Sequence, residues 1–338
     1  MLQQTGLYSG QFFYLFRNMD KIKIIYFGTP EFAASQLEAI LAAGYEVAAV
    51  VTMPDKPAGR GRKIQYSEVK KVALQHDLPL LQPEKLKDKS FLETLAAYEA
   101  NLFIVVAFRM LPAVVWQMPK YGTFNLHASL LPQYRGAAPI NFAIINGETE
   151  TGLTTFFLNE EIDKGAVIMR ESVIIRPDET AGELHDELMQ LGNQVVVETI
   201  KKIEHGETLA IEQARMEQGE LRLAPKISKE FCRIDWSQDI PNVYNHIRGL
   251  SPYPAAHTTL VSDSGEQIEM KVFVTEKESC LTNMESGTVV TDNKKFLKVA
   301  LRDGYLYLVE VQQAGKKRMS IADFLRGTQL LGDWKAVV

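Results

Sequence analysis

An apolar run from Ile22 to Phe27, broken only by Lys23, ends at Gly28. It has the length and composition of a buried strand. Pro30 then suits the first turn of a helix. Phe32, Leu37, Ile40 and Leu41 recur at helical spacing, and Gly44 stops the helix. Val47 to Val51 reads as the next strand. Strand, helix, strand in that order makes a βαβ opening, and such an opening calls for a parallel sheet.

The same reading extends down the chain. Strands are expected at Leu102–Ala107 and Thr123–Asn125, and a helix over Ala138–Ile145. Thr151–Leu158 and Ala166–Ile174 form a hairpin at the sheet edge. Thr180 and Glu183 make a capping box for a helix running to about Glu204. The 338 residues suit two domains. Residues 207–225 are polar and without helical period, which places a linker there. From 227 short strands dominate, with one helix at Ile240–Arg248. Asp303-Gly304 is a hairpin turn, and Ser320 with Asp323 caps a final helix. The expected architecture is an α/β, Rossmann-like domain over 19–206, followed by a small OB-like β-barrel over 226–338. Residues 1–18 carry an apolar patch, Phe12 to Phe16, but lack the basic start, long apolar core and cleavage site of a signal peptide. They read as a disordered, dispensable extension.

Charge narrows the partners. The chain carries a net −5, yet residues 224–338 hold 15 basic and 14 acidic side chains, against 22 and 28 in the remainder. The acidity lies in the first part, and the second is free to present a local basic face. Two cysteines, Cys232 and Cys280, frame neither a zinc site nor a disulfide scaffold, which suits reduced thiols in a cytoplasmic protein. No apolar run reaches the ~20 residues that span a bilayer. Trp236 and Trp334 read as packing residues.

The first βα turn, Gly28-Thr29-Pro30-Glu31-Phe32-Ala33, has a proline and a bulky phenylalanine where a dinucleotide fold needs glycines. Nicotinamide and flavin cofactors are therefore not expected. The chemistry gathers further on. Asn125 and His127 stand two apart at a strand end, so both project from one face at the carboxyl edge of the sheet. An amide donor beside an imidazole suits stabilising an oxyanion and moving a proton. Alone, the pair would read as a turn cap and a satisfied histidine. The Gly- and Pro-rich stretch 129–140, which leads into a helix, and the downstream Asp163-Lys164-Gly165 shift the weight toward a site. Asp163 supplies a carboxylate able to orient or charge the imidazole, while Glu160 and Glu161 read as solvated. Lys56, Arg60, Arg62 and Lys63 lie in an irregular Pro/Gly loop, where phosphate contact and plain solvation are about evenly matched.

The segment from Asn125 to Pro132, with Asp163 and Gly165 at their spacing, resembles the signature of the 10-formyltetrahydrofolate-dependent formyltransferase family. Phe27–Ala33, Pro54–Lys63, Tyr134–Ile140, Gly315–Met319 and Phe324–Gly327 extend the resemblance across about 21 to 330. It is closest to those members that formylate methionine on charged initiator tRNA. What it implies is a catalytic Asn125, His127 and Asp163, no metal, and 10-formyltetrahydrofolate as donor substrate. The implied folate contacts are Ser129, Leu130, Leu131 and Pro132 with Phe108, Arg109 and Met110. Ala107–Pro112 departs from the family, being shorter and lacking its glycine. The implied tRNA contacts are Lys56, Arg60, Arg62 and Lys63, with Lys316, Lys317 and Arg318 in the second domain. A monomer without membrane attachment is expected. A small-amine acceptor such as an amino-sugar nucleotide, and a tRNA-binding module that has lost catalysis, are the alternatives.

Overall fold

A computed structural model describes residues 12–13, 20–58 and 63–337. The chain forms two compact units. One holds the chain up to Gly136 together with Gly152–Val173 and Glu187–Arg222, and the other holds Ala137–Thr151, Ile174–Asp186 and Leu223–Val338.

The first unit is built on a seven-stranded sheet. In chain order its strands are β1 (Lys23–Gly28), β2 (Glu46–Val51), β5 (Leu80–Leu81), β6 (Leu102–Val106), β7 (Thr123–His127), β8 (Glu150–Phe157) and β9 (Val167–Ile174). A separate two-stranded ribbon, β3 (Lys56–Ala58) and β4 (Lys63–Gln65), interrupts the run. Across the sheet the order is β9-β8-β7-β6-β1-β2-β5. From β7 to β5 every pair is parallel, and β8 runs antiparallel to β7. The parallel strands are apolar on both faces: Ile24, Ile25, Tyr26 and Phe27 are all fully buried. The opening helix, α1 (Glu31–Ala42), buries Phe32, Leu37 and Ile40, the positions whose spacing announces it. Two more helices, α2 (Glu68–Gln75) and α3 (Lys89–Ala97), follow.

Two expected features have more structure than the sequence suggests. Residues 207–222, in the expected linker, are packed within the first unit: Gln213 is 1% exposed and Ala210 likewise 1%. Most of residues 1–18 lies outside the described residues, but Phe12–Phe13 pair antiparallel with Leu209–Ala210.

In the second unit an antiparallel sheet curls on itself. Its strands run Val289–Thr291, Leu297–Leu301, Gly304–Gln313, Gln267–Ser279, Ala256–Ser262 and Trp334–Val337 across the sheet. A bridge between Thr288 and Lys335, with Ala336 N–H donating to Gly287 O at 2.8 Å, brings its two ends together. The result is the expected barrel, nearly closed and with its edges protected. Inward positions alternate, and Trp236 and Trp334 lie in the core at 2% and 4% exposure. Trp236 Nε1 donates to Thr258 Oγ1 at 2.9 Å, which satisfies its buried N–H.

Candidate active site

Strand β1 has β2 on one side and β6 on the other, so the chain reverses direction across the sheet between β1 and β6. Ligands of open α/β sheets bind outside the carboxyl ends of the strands at such a point. The loops that leave β1 and β6 begin at Thr29 and Ala107, and β7 ends at His127 beside them.

Buried polar atoms with no partner gather here. Among the described residues they include Thr29 Oγ1, Arg109 Nε and Asn125 Oδ1. A desolvated polar atom left unpaired costs about 1–3 kcal/mol. Three at one sheet edge mark a place where a polar ligand recovers that cost. This fits a folate, which brings donors and acceptors on a flat ring and a formyl oxygen.

His127 is 7% exposed, with its ring edge-on to Phe156 at 6.5 Å. Its Nε2 lies 2.9 Å from the main-chain oxygen of Tyr134. A carbonyl only accepts, so Nε2 carries the hydrogen and Nδ1 is the ring's acceptor nitrogen in the neutral form. Asp163 is half-buried and its Oδ2 accepts from Gly136 N–H at 3.0 Å. The two side chains form no ion pair with each other. They are held instead by the same three-residue stretch, Tyr134 to Gly136, one at each end. Tyr134 and Asp163 both adopt left-handed backbone, φ 60° and 53°, a conformation retained in non-glycine residues where the surroundings over-determine it.

Those surroundings are explicit. Thr154 on β8 donates its hydroxyl to Ser129 O at 2.6 Å and accepts from Leu131 N–H at 3.0 Å. Ser129 Oγ donates to Gln133 O, and Tyr134 N–H to Arg222 O. Gln213 Nε2 donates to Asp163 O at 2.8 Å and Gly165 O at 2.9 Å, while its Oε1 accepts from Arg135 Nη2 at 2.8 Å. The 134–136 stretch and the Asp163 loop are thus clamped by one amide. Gly165 follows from close approach: a Cβ there would sit 1.6 Å from Phe157 O.

The expected contacts separate into three groups. Asn125 and His127 lie at the end of β7, and Asp163, in the loop after β8, reaches Gly136, two residues from the carbonyl that holds His127. Ser129 and Leu131 are fully buried and Pro132 is buried, so those side chains support the turn, and Leu130 is the half-exposed one among them. Met110 is 74% exposed beside the switch point, Phe108 packs on Phe27, and Arg109 donates to Pro83 O and Glu84 O. Of the basic residues, Lys56 and Lys63 fall on the ribbon's two strands, and Arg60 and Arg62 lie outside the described residues. Lys316, Lys317 and Arg318 are exposed, but Arg318 is paired with Glu310 and lies over the Phe273 ring at 4.4 Å. Sequence reasoning misses Gln213, a lone glutamine in a polar stretch that carries no local signal.

Residues 20–200 match the model of the formyl transferase family, and 226–329 match that of the formyl transferase C-terminal domain. The chain belongs to the formyl transferase family. It is 54% identical over 317 residues to a methionyl-tRNA formyltransferase of Bacteroides fragilis, covering 94% of this chain and 98% of that one. It is 51% identical over 309 residues to the methionyl-tRNA formyltransferase of Flavobacterium johnsoniae, covering 91% and 97%. Among solved structures, WlaRD, a sugar 3N-formyl transferase, superposes with a TM-score of 0.61 at 18% identity, covering 88% of this chain and all of that one. HypX from Aquifex aeolicus superposes with the same score at 20% identity, covering 92% of this chain and 49% of that longer protein. At these identities the structural likenesses establish the fold. Among the described residues no group of His, Cys, Asp and Glu is arranged to hold a metal, and no helix is long and apolar enough to cross a membrane.

Proposed function

We propose that this protein transfers the formyl group of 10-formyltetrahydrofolate to the α-amine of methionine on charged initiator tRNA, for translation initiation. The observation that carries the reading is identity above one half, spanning both units, with a relative named for that reaction. The folate supplies a carbonyl carbon whose oxygen gains negative charge as the amine attacks.

The side chains divide the work. Asn125 has an amide with one acceptor left unpaired, so Oδ1 can align the attacking N–H while Nδ2 donates to the oxygen where charge develops. His127, held through Nε2, takes the amine's proton on Nδ1. The imidazolium so formed donates to the same oxygen and then returns the proton to the nitrogen of the folate that leaves. Asp163, fixed on Gly136 N–H, sets the position of the 134–136 stretch that holds His127. In this reading Met110 and Leu130 offer apolar surface to the donor, and Lys56, Arg60, Arg62 and Lys63 meet the acceptor end of the RNA.

The test is direct. Purified protein is mixed with 10-formyltetrahydrofolate and methionyl initiator tRNA, and the methionine is assayed for formylation after deacylation. Product that disappears in Asp163→Ala supports both the substrates and the site. Turnover of an amino-sugar nucleotide without formylation of the RNA would overturn the acceptor and keep the chemistry.

A further inference from the structure

The ribbon that carries Lys56 and Lys63 leaves the sheet edge beside a set of polar groups, with Thr52 and Lys70 buried among them, that the chemistry above does not use. Lys70, in the first turn of α2, has a side chain only 11% exposed. Its Nζ lies 2.5 Å from Asp55 Oδ2, 3.0 Å from Gln82 Oε1 and 4.0 Å from the centre of the Tyr66 ring. Gln82 Nε2 donates in turn to Asp55 Oδ1 and Met53 O, both at 2.9 Å. Beside them the hydroxyls of Thr52 and Ser67 are 2.9 Å apart, and Ser67 caps α2 by accepting from Lys70 N–H at 3.1 Å.

These residues come from both feet of the ribbon. Thr52, Met53 and Asp55 precede it, Tyr66, Ser67 and Lys70 follow it, and Gln82 ties in from the segment after β5. A two-stranded ribbon is marginal on its own in water. The pairing of Lys56 with Gln65 and Ala58 with Lys63 joins its strands but does not fix the direction in which it leaves the sheet. The clasp ties its two feet to each other and to the segment after β5. It is also tied to the catalytic edge, because Val69 N–H donates to Thr29 O at 3.4 Å. A nearly buried ammonium is retained only when well paired, and such groups are best attested as devices that specify one arrangement.

We propose that Lys70, Asp55 and Gln82 are positioning residues for the RNA acceptor: they hold together the two feet of the ribbon whose strands are Lys56–Ala58 and Lys63–Gln65. The inference rests on the tRNA reading above. Feet already held together leave less to order at the moment of association, so loss of the clasp falls on acceptor binding and not on the formyl-transfer step.

Steady-state kinetics with charged initiator tRNA and 10-formyltetrahydrofolate test it. Lys70→Met raises the KM for the RNA about tenfold, with kcat and the KM for the folate within about twofold of wild type. Asp55→Asn does the same. The double variant is no worse than either single one, as expected for groups acting as one unit. Lys70→Arg restores most of the affinity. Ser67→Ala, a milder break in the same clasp, gives an intermediate KM and guards against a Lys70 variant that fails to fold. An unchanged RNA KM in variants that keep the folate KM, a loss confined to kcat, or no recovery with Lys70→Arg would each overturn the proposal. Failure of the wild-type protein to formylate the RNA would instead overturn the function on which it rests.

Discussion

His127 shows what a single side chain is asked to do. Its Nε2 is committed to the Tyr134 carbonyl, so one nitrogen holds the ring and the other is left for the proton transfer proposed above. His127→Ala should lower kcat about 10²-fold or more, the scale of losing an acid–base or oxyanion group. Single-turnover rates at saturating substrates measure this, and a change of only a few-fold would remove His127 from the mechanism. Asn125, His127 and Asp163 are legible in the sequence because strand periodicity and a turn signal place them. Gln213 is not, since its role arises from meeting Asp163, Gly165 and Arg135 in space. A second histidine carries a pH prediction. Burial holds His246 below its ordinary pKa of 6.5, and its Nε2 is buried without a partner beside the Phe231 ring. The unfolded chain then binds the extra proton first as pH falls. The stability His246 contributes is complete above about pH 6.5 and is lost as pH drops through the folded value. Thermal melts of His246→Phe between pH 7 and 5 should show a shallower decline in Tm than wild type.

At the scale of elements, local signals succeed where they are strong. Thr180 N–H donates to Glu183 Oε2 at 2.8 Å and Glu183 N–H to Thr180 Oγ1 at 3.3 Å, the reciprocal cap that four residues of sequence announce. Thr180→Ala should lower unfolding free energy by about 1 kcal/mol in urea titrations. The Asp303-Gly304 turn and the Ser320 cap, with Asp323 N–H on Ser320 Oγ at 3.1 Å, are legible for the same reason. The helices Glu68–Gln75 and Lys89–Ala97 are not, because eight or nine residues give barely two turns of period to detect. The stretch after Gly206 misleads because its strands are two residues long, its 3₁₀ turn is three, and its burial depends on partners far away in sequence.

At the scale of the molecule, charge is unevenly spread along the chain, and the nearly neutral stretch 224–338 carries the exposed Lys316 and Lys317. If these two lysines contact phosphates, Lys316→Glu with Lys317→Glu should reduce the salt dependence of RNA binding. The slope of log K against log salt would fall by about 2, read by filter binding at several ionic strengths. Arg318→Ala should do less, since Glu310 already neutralises it. An unchanged slope in the double variant would place the RNA-binding face elsewhere.

His127 and Asp163 are referenced to main-chain atoms of Tyr134 and Gly136, not to each other's side chains. The spacing of the two side chains is therefore measured out in peptide units. A single residue inserted or deleted between Tyr134 and Gly136 would shift the two anchors by a full repeat of the backbone, and assays on such a folded variant should find the formyl-transfer rate lost.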